Sequence, residues 1–117
     1  MHVLLINGSP HEKGCTYTAL SLVAGELNAA GITTEILNVG TKPVGGCIGC
    51  GGCAKGNGCV FGGVVNEAIE KARTADAFVF GTPVHYASAS GNMTSFMDRL
   101  AYAGGKYLAY KPAAICC

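Results

Sequence analysis

The sequence predicts an α/β fold, a parallel sheet with helices on both of its faces. Three observations predict it. Short apolar runs alternate with stretches of helical periodicity in the order β-α-β-α-β-α-β. The first run, His2 to Asn7, is apolar without alternation, as in a strand buried on both faces. Glycine punctuates the connections, with clusters at Gly45-Gly46, Gly51-Gly52, Gly62-Gly63 and Gly104-Gly105.

Each element has its own warrant. Residues 17–30 carry Leu20, Val23, Ala24 and Leu27 at i, i+3, i+4 and i+7, a helical stripe closed by Gly31 as C-terminal cap. Thr33 to Val39 is rich in β-branched residues and reads as the second strand. Residues 40–62 form a Gly/Cys loop without periodicity, and a loop of that length is usually functional. Val65, Ala68, Ile69 and Ala72 give the second helical stripe, supported by a Glu67–Lys71 pair at i, i+4. Ala77 to Gly81 is the third strand, ended by Pro83. Met93, Phe96, Met97 and Leu100 mark a third helix, and Ala113 to Cys117 begins a fourth strand. Right-handed crossovers place the loops after the strands on one edge, where open sheets of this kind bind ligands.

Composition narrows the function classes. The 117 residues form one domain, 1–117, with the Cys-rich loop at 40–62 inside it. Half the residues are hydrophobic, so the chain is globular. A net charge of +1 without a basic stripe gives no reason to expect nucleic acid or an anionic membrane. No apolar run is long enough for a transmembrane helix. The N-terminus enters a strand at once and does not read as a signal peptide, which makes the cytoplasm the expected location. Of seven cysteines, four fall within residues 47–59. Without an export signal, that density favours a metal, a cluster or redox-active thiols over disulfides.

Gly8-Ser9-Pro10-His11-Glu12-Lys13-Gly14-Cys15-Thr16 joins the first strand to the first helix. It offers hydroxyls at Ser9 and Thr16, closure at Gly8 and Gly14, and the amides of residues 14–17 at a helix start. Those are the features a phosphate needs. It has neither a Walker A ending nor the GxGxxG pattern. The plainer reading is a βα turn with Thr16 as N-cap. Cys47-x2-Cys50-x2-Cys53-x5-Cys59 can curl around one centre and suits a 4Fe-4S cluster. Zinc accepts four thiolates too, usually from separated CxxC pairs. Free thiols or a labile disulfide are the remaining reading. Cys116 and Cys117 read as buried strand residues.

Strand-Gly-Ser-Pro-(x)4-Cys-Thr resembles the N-terminal signature of the NADPH-dependent FMN reductase family, which has a flavodoxin-like fold. A second stretch is similar to that family's flavin-ring loop and following helix. It comprises Gly81-Thr82-Pro83-Val84-His85-Tyr86-Ala87-Ser88, Gly91-Asn92-Met93 and Phe96-Met97-Asp98-Arg99. The resemblance covers essentially the whole chain. It implies a three-layer sandwich with strand order 2-1-3-4. It implies that Ser9, Gly14, Cys15 and Thr16 hold the FMN phosphate, and that Pro83, Val84, His85 and Tyr86 line the isoalloxazine ring with Ser88 close by. Cysteine at position 15, where the family more often has Asn or Ser, weakens one side-chain hydrogen bond and keeps the backbone donor. An alternative for His85 and Tyr86 is that they cap the core. The cysteine spacing is similar to that of the iron-sulfur flavoproteins, which implies Cys47, Cys50, Cys53 and Cys59 as ligands. A sheet of this type has a fifth strand and a closing helix, so we expect the chain to be the N-terminal part of the domain.

The resulting expectation is an FMN-dependent NAD(P)H oxidoreductase passing electrons to a quinone, a flavin or another small acceptor. The alternative is an iron-sulfur flavoprotein that carries electrons between FMN and a ferredoxin-like partner. Because a flavin at a chain edge needs a neighbour to cover its ring, a homodimer or homotetramer is expected. No side chain presents itself as an acid or base. In flavin chemistry the cofactor carries the hydride and the protein orients it, so no catalytic residue is assigned.

Overall fold

A computed structural model describes residues 1–117. Strand β1 (His2–Asn7) is central, flanked by β2 (Thr33–Asn38) and β3 (Ala77–Gly81). Strand β4 (Ala113–Cys116) lies beyond β3 and completes the order β2-β1-β3-β4. All three pairings are parallel, with Leu5 opposite Ile36 and Val79, and Phe80 opposite Ile115. The predicted order is therefore met. The helices are α1 (Cys15–Ala29), α2 (Val64–Thr74) and α3 (Gly91–Leu108). A 3-10 turn at Gly52–Lys55 lies within the Cys-rich loop.

The pleat of β1 divides the core. Val3 and Leu5 face Leu20 and Ala24 of α1, while Leu4 and Ile6 face Val65, Ile69, Met93 and Phe96 of α2 and α3. Both faces are thus covered, and β1 is buried from Val3 onward. Helix α1 ends as Gly31 predicts. With φ +82°, Gly31 donates to Asn28 O at 3.0 Å, and Ile32 donates to Leu27 O at 3.0 Å. The start differs from expectation. Gly14 is the N-cap of α1, without a side-chain hydrogen bond, and Thr16 lies in the first turn.

Two further expectations are corrected. Gly104 and Gly105 are not a loop but part of α3. A Cβ on Gly104 would stand 2.8 Å from Ile69, so the glycine lets α2 and α3 approach closely. Met97 stands off the apolar stripe of α3 and is exposed. Within this chain Cys116 of β4 is half-buried, and Cys117 and Ile115 are exposed.

Phe96 is fully buried where α3 meets α2 and β1. Phe96→Ala is expected to cost about 3–5 kcal/mol, read as a lowered urea midpoint with an unchanged m-value.

Candidate functional site

The loop after β1 is shaped by a residue the sequence reading passed over as the end of a strand. Asn7 is fully buried. Its Nδ2 donates to Asn38 Oδ1 at 2.8 Å and to Glu12 O at 3.3 Å, and its Oδ1 accepts from the Ser9 amide at 3.1 Å. Ser9 is buried within the loop, where its Oγ accepts from the His11 amide at 3.1 Å. The Gly14 amide turns back to His11 O at 3.4 Å, so it is not among the outward donors expected of residues 14–17. The amides of Cys15, Thr16 and Tyr17 find no acceptor within the chain, as at any helix start. The side chain of Cys15 is exposed and Thr16 is half-buried.

A second loop, residues 82–90, follows β3. The Thr82 and Ser90 side chains are buried. Thr82 Oγ1 accepts from the Ser90 amide at 3.1 Å. Ser90 Oγ caps α3 by accepting from the Met93 amide at 3.2 Å, and donates to Gly8 O at 3.0 Å. With the Gly8 amide donating to Gly81 O at 2.8 Å, the two loops are stitched side by side. Between them lies a cleft of about 220 Å3, lined by Gly8, Pro10, His85, Ser90, Gly91 and Asn92. Of the residues expected at a cofactor, His85 lines this cleft. Val84, Tyr86 and Ser88 are exposed, with Tyr86 at 95%, and Pro83 is half-buried. Neither His85 nor Tyr86 caps the core.

The loop after β2 is held by three side chains from the helices. Asn92 Nδ2 donates to Gly40 O and Lys42 O at 3.0 and 3.1 Å, while its Oδ1 accepts from the Val44 amide at 3.1 Å. Asn66 grips Cys59 at both backbone atoms. Its Oδ1 accepts from the Cys59 amide at 2.8 Å, and its Nδ2 donates to Cys59 O at 2.9 Å. Arg99, only 7% exposed, donates to Gly45 O at 3.2 Å, to Gly62 O at 2.9 Å and, through Nε, to Cys59 Sγ at 3.3 Å. The loop thus closes on a cavity of about 150 Å3 whose walls include Cys47, Cys50, Cys53 and Cys59, with Ile48, Phe61, Arg99 and Tyr102. All four are free thiols. The four line one cavity, though no three His, Cys, Asp or Glu side chains are grouped closely enough to hold a single ion.

Burial raises the Cys59 thiol pKa, but the Arg99 hydrogen bond, the amides of Phe61 and Gly62 and the Arg99 charge outweigh it and hold the pKa below its ordinary value. Asn7, Asn66, Asn92 and Arg99 were all missed by the sequence reading as site residues. One signal was available: Asn92, Ser95, Arg99 and Tyr102 recur at i, i+3, i+7 and i+10, a second stripe on α3 beside its apolar one. A depressed pKa means that Cys59 is ionised at a lower pH than an ordinary thiol. In the reduced, metal-free protein the alkylation rate of Cys59 is expected to reach half-maximum at a lower pH than that of an unperturbed thiol, with the midpoint moving upward in Arg99→Met. Peptide mapping across a pH series checks it.

Comparison with known proteins shows the family and the fold. The description "NADPH-dependent FMN reductase" belongs to the family model that matches residues 1–117. An iron-sulfur flavoprotein of Methanocaldococcus jannaschii is 31% identical over 99 residues, covering 85% of this chain and 51% of its own. An iron-sulfur flavoprotein of Archaeoglobus fulgidus is 33% identical over 99 residues, covering 85% and 48%. The chain therefore spans about half the length of these relatives. Among solved structures, the NAD(P)H:quinone oxidoreductase of Methanothermobacter marburgensis superposes with a TM-score of 0.73 at 20% identity, over 99% of this chain and 64% of that one. At that identity the likeness speaks to fold, and the fold is flavodoxin-like. Matched from its first residue to its last, the chain belongs to the NADPH-dependent FMN reductase family.

Proposed function

We propose that the chain forms the FMN-phosphate and ring-edge part of an NAD(P)H oxidoreductase that delivers electrons to a quinone, a flavin or another small acceptor. Two observations carry this reading: the start of α1, where the amides of Cys15, Thr16 and Tyr17 have no acceptor within the chain, and the cleft between the loops after β1 and β3, which His85 lines. That donor set suits a dianionic phosphate. The amides of Cys15, Thr16 and Tyr17 and the Thr16 hydroxyl would hold the phosphate. Ser9 shapes the loop from within and has a hydroxyl proton left to donate. Pro83, Val84, His85, Tyr86 and Ser88 would border the ring. FMN, when bound, supplies the hydride chemistry. The protein's part is to bind, orient and restrict water. Val84 and Tyr86 are exposed, which suits a ring covered by a second subunit in a dimer or tetramer. No helix is long and apolar enough to cross a membrane, and we propose the cytoplasm as the place of action.

One observation favours a second reading. All four cysteines of the loop line a single cavity beside a buried guanidinium. That set fits a 4Fe-4S cluster held by Cys47, Cys50, Cys53 and Cys59. The chain would then serve as an electron carrier between FMN and a ferredoxin-like partner. The named iron-sulfur flavoproteins support it.

The Ser9→Ala, Thr16→Ala double variant is expected to raise the Kd for FMN about tenfold or more, since a hydrogen bond to a charged group contributes roughly 1.5–3 kcal/mol. Unchanged affinity by fluorescence titration would remove the phosphate role from this loop. Anaerobically purified protein is expected to contain about four iron and four sulfide per chain on the cluster reading. A preparation with flavin and no iron would leave the first reading standing alone.

A further inference from the structure

Arg99 is a charged residue in a place where charge is costly. It is buried on α3, and no carboxylate pairs with it. Its neighbours are two backbone carbonyls, the sulfur of Cys59 and the face of Phe61, whose ring centre is 5.9 Å from the guanidinium carbon. Carbonyl dipoles solvate a guanidinium but do not neutralise it, and a buried cation without an anion is unstable relative to one in water. The cavity against which Arg99 lies contains four thiols and no carboxylate among its lining residues. Its geometry adds a second point. Gly45 and Gly62 stand at the two ends of the cysteine segment, and the planar fork of Arg99 reaches both while Nε reaches the last cysteine.

We propose that Arg99 is the positioning residue of the cysteine cavity: it closes the loop by pinning Gly45 and Gly62, and its unpaired charge makes the cavity selective for an anionic metal–thiolate group. The clamp does not depend on what fills the cavity. The selectivity rests on the cluster reading given above. Asn66 and Asn92 hold the loop from other directions, but both are neutral, so the charge is supplied by Arg99 alone within this set. Lysine at position 99 would keep the charge and lose the fork. Methionine would keep the apolar stem and lose both.

The test uses the full chain in two states. In the metal-free, reduced state, limited proteolysis reports closure of residues 45–62. Cleavage is expected to be about tenfold faster or more in R99M and clearly faster in R99K, with helical circular dichroism unchanged. After anaerobic reconstitution with iron and sulfide, retained iron against a chelator reports the charge. R99M is expected to lose iron about tenfold faster or more than wild type, and R99K to fall between the two. Wild-type protease resistance in R99M overturns the clamp. Equal iron retention in R99M and wild type overturns the selectivity. If R99M does not fold, R99K decides the clamp by the same digestion: wild-type resistance overturns it. Wild type that takes up no iron while R99M still opens the loop refutes the cluster reading and leaves the clamp intact, so the two failures are told apart.

Discussion

Much of the site rests on one buried hydroxyl. Ser90 Oγ accepts from the Met93 amide and donates to Gly8 O, so a single atom fixes the start of α3 and the loop after β1 at once. A serine N-cap is common and contributes on the order of 1 kcal/mol to a helix. Here the same atom also sets the position of a helix relative to a sheet edge. The Gly8 amide meanwhile bonds Gly81 O, so the chain crosses from β1 and β3 into their loops with its hydrogen bonds in register. The cleft between the two loops is a consequence of that stitching.

From this fixed start, α3 does two jobs on two faces. Met93, Phe96 and Leu100 pack into the core with α2 and β1. Asn92 in the first turn and Arg99 about two turns further on lie on a different face and bond carbonyls of the loop after β2. A glycine-rich segment has little packing of its own and loses much conformational freedom on ordering. Its order comes instead from side chains anchored in a rigid helix. Asn66 extends the same logic from α2, gripping Cys59 at its amide and carbonyl. The cavity of four thiols is thus assembled by donors outside the cysteine segment.

Electrostatics follow from the same placement. Arg99 is buried because α3 carries it against the loop, and Cys59 sits within hydrogen-bond reach of it. Burial alone would favour the neutral thiol, and the guanidinium together with the Phe61 and Gly62 amides reverses that preference. A nearby positive charge and a thiol are mutually stabilising only where the backbone holds them together.

By itself, the sequence determined the element order and the sheet. Unbroken apolar runs such as Val3 to Ile6 have only one way to bury both faces, and stripes such as Leu20, Val23, Ala24 and Leu27 can face only one sheet. Parallel pairing follows from those constraints, whereas the order β2-β1-β3-β4 was implied by the family resemblance and is met by the structure. Local glycine chemistry was legible too, as at Gly31 with its positive φ. The tertiary structure alone decided the rest. Glycine at 104 is a turn former by composition, and only the approach of Ile69 explains it in a helix. Asn7 and Asn66 carry no local signature of their roles, and the polar stripe holding Asn92 and Arg99 does not say what it faces, because these residues bond atoms distant in the chain or in a loop without a periodic pattern. Hydrophobic periodicity is a property of neighbours in sequence, whereas a polar clamp is a property of neighbours in space.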